Sequence, residues 1–184
     1  MSRRRSGPVS VLAFILLALA SPAAAAPPPN DAFAARLAVP SLPFEHSVST
    51  AEATTEPGEP EPFCTGYIER TVWYAFTPAS DVVVGVDTLA SDYDTILGVY
   101  TGSSLSDLSD VTCSDSPARV VFAAEGGTTY YVQAGGYEGG NLHIAFREVD
   151  AGVIAGTVTE EGSGVPLRSI CVFAVDADFR NAEF

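Results

Sequence analysis

From Thr71 onward, apolar positions come in short runs, each closed by a turn signal. Thr71 to Thr77 (TVWYAFT) is β-prone and ends at Pro78. Asp81 to Thr88 and Asp94 to Tyr100 follow, the second closed by Thr101-Gly102. Leu108 to Cys113 is a candidate short strand, and Arg119 to Ala124 runs into the Glu125-Gly126-Gly127 turn. Thr128 to Ala134 leads to the glycine-rich turn at Gly135 to Gly140. Asn141 to Arg147 alternates, with Leu142, Ile144 and Phe146 on one face and His143, Ala145 and Arg147 on the other, the two-residue period of a half-buried strand. Phe44 to Thr50 reads as an earlier strand. Roughly seven or eight strands at ~8–12-residue spacing predict an all-β chain folded as a β-sandwich. No long segment has helical periodicity.

Between these runs, Asp31 to Leu37 reads as a short helix or an irregular entry segment. Thr54 to Pro62 (TTEPGEPEP) is a polar acidic loop, because its three prolines remove ladder donors. Around Asp150-Ala151-Gly152 the pattern changes. Val153 to Thr159 and Ser169 to Val175 read as two new strands before the chain stops at Phe184. Two strands do not make a stable domain in water. The expectation is therefore the front end of a longer protein, or a truncated product, with residues 151–184 opening a second sandwich.

The N-terminus has a different grammar. Arg3, Arg4 and Arg5 precede an apolar run from Val9 to Ala20, a Ser21-Pro22 break and small alanines to Ala26. That order is a secretory signal peptide over residues 1–26. The apolar run is shorter than the ~20 residues of a membrane span. The alternative is an uncleaved N-terminal anchor. Export predicts a secreted, extracellular or cell-surface chain with no membrane segment after cleavage.

Charge adds one exclusion. All nine basic residues are arginines; three lie in the signal, leaving six against 23 acids, a formal balance of −17. Such a surface repels nucleic acid and anionic membranes. Valine, threonine, tyrosine and phenylalanine are abundant, which suits a pleated surface. An oxidising compartment permits disulfides. Cys64 and Cys113 form the preferred pair because both lie in the same candidate domain, which leaves Cys171 odd.

Several segments resemble the bacterial pre-peptidase C-terminal domain. They are Asn30-Asp31-Ala32-Phe33, Ala53-Thr54 through Glu56-Pro57-Gly58-Glu59-Pro60, Thr71 to Thr77, Ser91 to Gly102, Cys113-Ser114-Asp115 and Gly127 to Val132. The resemblance spans about Asn30 to Glu148 and assigns residues 27–150 to one domain. It implies a secreted, jelly-roll-like antiparallel β-sandwich, itself non-catalytic, beside an exported peptidase or other enzyme or within a surface repeat protein. Some relatives bind calcium and collagen. Where members often carry Asn-Asp-Asp, this chain has Cys113-Ser114-Asp115, one carboxylate fewer. The tail, through Ile154 to Thr159, Gly164-Val165-Pro166-Leu167 and Cys171-Val172, resembles the start of a carboxypeptidase regulatory-like domain, a small transthyretin-like sandwich.

Candidate chemistry is sparse. Asp92 and Asp94 share a strand face, Asp115 can approach from a neighbouring loop, and Glu56 and Glu59 lie on another. Together they are the candidate calcium ligands, set against the favoured reading in which Asp92 and Asp94 cap turns. Trp73 and Tyr74 point opposite ways, and core positions are favoured for both. A ligand surface built from Tyr74, Tyr131 or Tyr137 is the alternative, facing matrix, cell-wall or polysaccharide partners. His46 and His143 are far apart, and no H-E-x-x-H, G-x-S-x-G or C-x-x-C occurs. The expectation is a non-catalytic binding or accessory module. The other readings are a structural spacer, or the accessory part of an exported hydrolase whose catalytic domain lies past Phe184.

Overall fold

The computed structural model describes residues 26–149. The expected second-domain strands, Cys171 and all but the last residue of the expected signal peptide lie outside the described residues.

Short β-branched and aromatic runs form nine strands within this range: β1 (Leu37–Val39), β2 (Phe44–Ser49), β3 (Glu69–Phe76), β4 (Val82–Asp87), β5 (Ile96–Thr101), β6 (Ser109–Ser114), β7 (Arg119–Ala124), β8 (Tyr130–Gly136) and β9 (Asn141–Glu148). They build two sheets, ordered β2-β9-β4-β7 and β1-β3-β8-β5-β6. Without β1, these are the two interleaved four-stranded sheets of a jelly roll. The pairs are antiparallel except β1 on β3, where Leu37 lies opposite Tyr74 and Val39 opposite Phe76. Of the helical or irregular entry expected over Asp31 to Leu37, Phe33–Ala35 forms a single 3-10 turn and Leu37 opens β1.

Alternation decides what each strand buries. Val84 and Val86 of β4, Leu142, Ile144 and Phe146 of β9, Val72 and Tyr74 of β3 and Val132 of β8 meet between the sheets. Tyr74 packs 5.8 Å from Phe146, ring centre to ring centre. Each large side chain removed from water there contributes about 1.5–3 kcal/mol.

The five-stranded sheet is covered on its outer face too. Phe33, Trp73, Tyr100 and Tyr131 form a second apolar cluster, joined by Leu105 and Leu108. Trp73 and Tyr74 thus face opposite ways and are both fully buried, one in each cluster. Among the described residues the Trp73 indole N–H finds no hydrogen-bond partner.

The β2–β3, β4–β5, β6–β7 and β8–β9 connections meet at one end of the sandwich. Thr50 Oγ1 donates to the Tyr93 hydroxyl at 2.9 Å, and Ser116 Oγ donates to Asp94 at 2.9 Å. A Cβ added to Gly139 would meet the Thr50 carbonyl and stand 2.7 Å from Ala51 Cα. Only glycine lets the β8–β9 turn lie this close to the chain leaving β2.

Candidate functional site

This loop end carries the exposed aromatic surface. Tyr67 and Tyr137 remain 46% and 51% exposed, and their rings lie 5.8 Å apart, 18° from parallel. Tyr137 projects from the β8–β9 turn held by Gly139. Tyr67 stands just before β3, where Arg70 adopts a left-handed backbone (φ 51°) and donates a side-chain N–H to the Ala51 carbonyl. A non-glycine residue in that region is uncommon; here it accompanies the register shift between Glu69 and Val72. Phe63, also exposed, precedes Cys64.

Beside Tyr67 lies a shallow cleft of about 180 Å³, lined by Pro60, Ile68, Glu59, Glu61 and Glu69 among others. The Tyr67 hydroxyl donates to Glu69. That bond holds the phenol pKa above its usual value, helped by slight desolvation and by the charges of Glu69 and Glu61.

The disulfide expected between Cys64 and Cys113 is present, with Cα atoms 6.0 Å apart. It ties the acidic β2–β3 loop to β6. The same loop is held by its glutamates. Glu59 accepts from Thr71 Oγ1 at 2.7 Å and from Gln133 Nε2 at 2.9 Å, and Gln133 in turn accepts from the Tyr100 hydroxyl at 2.9 Å. Glu59 also receives the Glu56 backbone N–H, while Glu56 receives that of Phe33.

The five carboxylates considered for calcium therefore do not gather around one point. Glu56 and Glu59 anchor the loop to buried donors. Asp92 accepts the Asn141 backbone and side-chain N–H groups, each at 2.7 Å, and the side-chain bond then the backbone bond hold its pKa below the usual carboxylate value. Asp94 accepts the Ser116 hydroxyl and Asp115 the Ser116 backbone N–H. Among the described residues no three or more His, Cys, Asp or Glu side chains come together in a way that can hold a metal ion.

The tyrosine surface also needs correction. Tyr74 is fully buried and Tyr131 is 6% exposed, packed against Phe33 with ring centres 4.9 Å apart. Neither reaches a ligand, because each points into an apolar cluster. Tyr137 alone of the three stands at the surface, and its partner Tyr67 was missed. A signal for Tyr67 was available: an aromatic in a proline-rich loop has no strand alternation to turn it inward.

The histidines lie on neighbouring strands but on opposite faces. His46 turns inward, with Nδ1 3.1 Å from the Tyr74 hydroxyl, and burial lowers its pKa. His143 faces out, 3.9 Å from Glu45.

The sequence matches no protein-family model and no curated protein. Similar solved structures include the following three. Aeromonas hydrophila PliG, a periplasmic lysozyme inhibitor of g-type lysozyme, is 11% identical with a TM-score of 0.42, over 62% of this chain and 96% of that one. The pre-peptidase C-terminal domain of a Bacillus anthracis collagenase is 14% identical with a TM-score of 0.33, over 62% and 92%. The Yersinia pseudotuberculosis-derived mitogen is 11% identical with a TM-score of 0.28, over 55% and 96%. Likenesses this distant carry no inference about ligand or activity.

Proposed function

We propose that this chain is an exported, non-catalytic accessory module that binds a matrix, cell-wall or polysaccharide ligand on behalf of a larger exported or cell-surface protein. The observation that carries the reading is the exposed, near-parallel Tyr67–Tyr137 pair beside a cleft, presented by loops that a jelly roll holds at one end. Tyrosine pairs an apolar ring with a polar tip and loses little conformational freedom on contact, which is why it is favoured in recognition surfaces. The Cys64–Cys113 bond supports an oxidising compartment, in keeping with the signal-like N-terminus. The ordered motifs between Asn30 and Glu148 support kinship with pre-peptidase C-terminal domains. Retention of the purified chain on insoluble polysaccharides and immobilised matrix proteins tests the reading. Binding to at least one is expected; passage through all of them contradicts it.

A further inference from the structure

The cleft beside Tyr67 has a definite chemical character. Its walls offer apolar surface from Pro60, Ile68 and the Tyr67 ring, and carboxylates from Glu59, Glu61 and Glu69. Glu59 is turned inward to Thr71 and Gln133, so the charge open to a ligand comes from Glu61 and Glu69. Among the described residues none of these three glutamates forms an ion pair; the paired acids, Glu45 and Asp87, sit on β2 and β4 of the other sheet. Arg70, next to Glu69 in sequence, sends its side-chain N–H to the Ala51 carbonyl instead. The hydrogen bond to Glu69, then slight desolvation, raise the Tyr67 pKa, and the charges of Glu69 and Glu61 add to the rise.

A small metal ion uses only the oxygens of such a place. A long cationic side chain uses all of it. The methylene stem lies along Pro60 and Ile68, the charged head reaches Glu61 and Glu69, and the tyrosine face adds a cation–π contact. The remaining surface agrees in sign, since the chain past the signal has a balance of −17, which attracts a basic partner over distance and raises its association rate.

We infer that the Tyr67 cleft takes an arginine or lysine side chain of a basic polypeptide segment. This rests on the binding-module reading and narrows it, because it puts a cationic protein ahead of a neutral polysaccharide as the partner. Glu61 and Glu69 receive the charge, the Tyr67 face meets the cation, and Tyr137 stacks near-parallel on Tyr67.

The test is titration of a blocked Gly-Arg-Gly-Arg-Gly peptide into the full chain, followed by calorimetry and by loss of tyrosine fluorescence. Binding is expected to weaken as salt rises. The pair E61Q/E69Q, which keeps the oxygen that accepts the Tyr67 hydroxyl, is expected to lower affinity about tenfold, the scale of one charge-assisted contact. Y67L is expected to do the same. A charge-matched control, E125Q/E148Q, alters glutamates outside the cleft and is expected to leave affinity unchanged. Equal weakening by both glutamine pairs would overturn the inference, since the attraction would then be diffuse surface charge. No peptide binding by a chain that still binds polysaccharide overturns it while leaving the binding-module reading intact. Failure to bind either sinks both.

Discussion

Gln133 on β8 donates its side-chain amide to Glu59 at 2.9 Å, joining the centre of the five-stranded sheet to the loop that carries Tyr67. Gln133 is fully buried, and its oxygen also accepts the Tyr100 hydroxyl. Gln133→Leu removes both bonds and leaves two polar groups short of partners. It is expected to cost about 1–3 kcal/mol, measured by urea unfolding. A neutral result would mean that the network contributes nothing to the loop's position.

The disulfide holds the same loop from the other side. Cys64 and Cys113 are 49 residues apart, so their bond removes much of the unfolded chain's freedom. The double substitution C64S/C113S is expected to lose about 2–4 kcal/mol. Unfolding of the oxidised and substituted chains in parallel checks this. Alkylation without reductant checks the pairing, since neither cysteine is expected to react.

Tyr131 and Tyr137, six residues apart, have opposite fates. Tyr131→Ala empties part of the Phe33 and Trp73 cluster and is expected to cost about 3–5 kcal/mol, as for other large aromatics. Tyr137→Ala gives up one stacked contact and is expected to cost about 1 kcal/mol or less. Similar losses at the two sites would contradict the assignment of Tyr131 to the core and Tyr137 to the surface.

His46 gives a pH signature. Burial depresses its folded pKa below the ordinary 6.5, while the unfolded chain keeps that value. The unfolded state therefore binds more protons as pH falls below the unfolded pKa. The His46 contribution is present above that pH and is lost as pH drops through the folded pKa. His46→Gln is expected to flatten the pH dependence of the melting midpoint in this window. An NMR titration is expected to place His46 below 6.5.

Calcium offers a separate check on the carboxylates. With Asp92 bound to Asn141, and Asp94 and Asp115 to Ser116, calcium at about millimolar level, where extracellular modules bind it, is expected to leave the melting midpoint unchanged. A clear rise would show that these side chains turn toward an ion.

Strands were the easiest part to read. β7 runs from Arg119 to Ala124 and β9 begins at Asn141, as the alternation and the flanking glycines require. The entry segment was harder, because Leu37–Val39 is three residues long and becomes β1 only by lying parallel to β3. Neighbours in space, not local pattern, make it a strand. The same holds for the loop glutamates. TTEPGEPEP looks like free acidic surface, yet Glu59 ends against Gln133, 74 residues further along. The Cys64–Cys113 pairing was accessible because the two cysteines lie in one domain. Tyr67 escaped notice because its partner, Tyr137, comes from a different connection, and stacking across loops leaves no periodic trace.

The central claim is that the Tyr67–Tyr137 face binds a ligand. The most direct measurement compares retention of the wild-type chain and Y67A/Y137A on the same set of polysaccharides, matrix proteins and basic peptides, with melting midpoints taken alongside. The account predicts that wild-type retention on at least one of them is lost in the double variant while the variant still folds. Equal retention by the two folded proteins would contradict it.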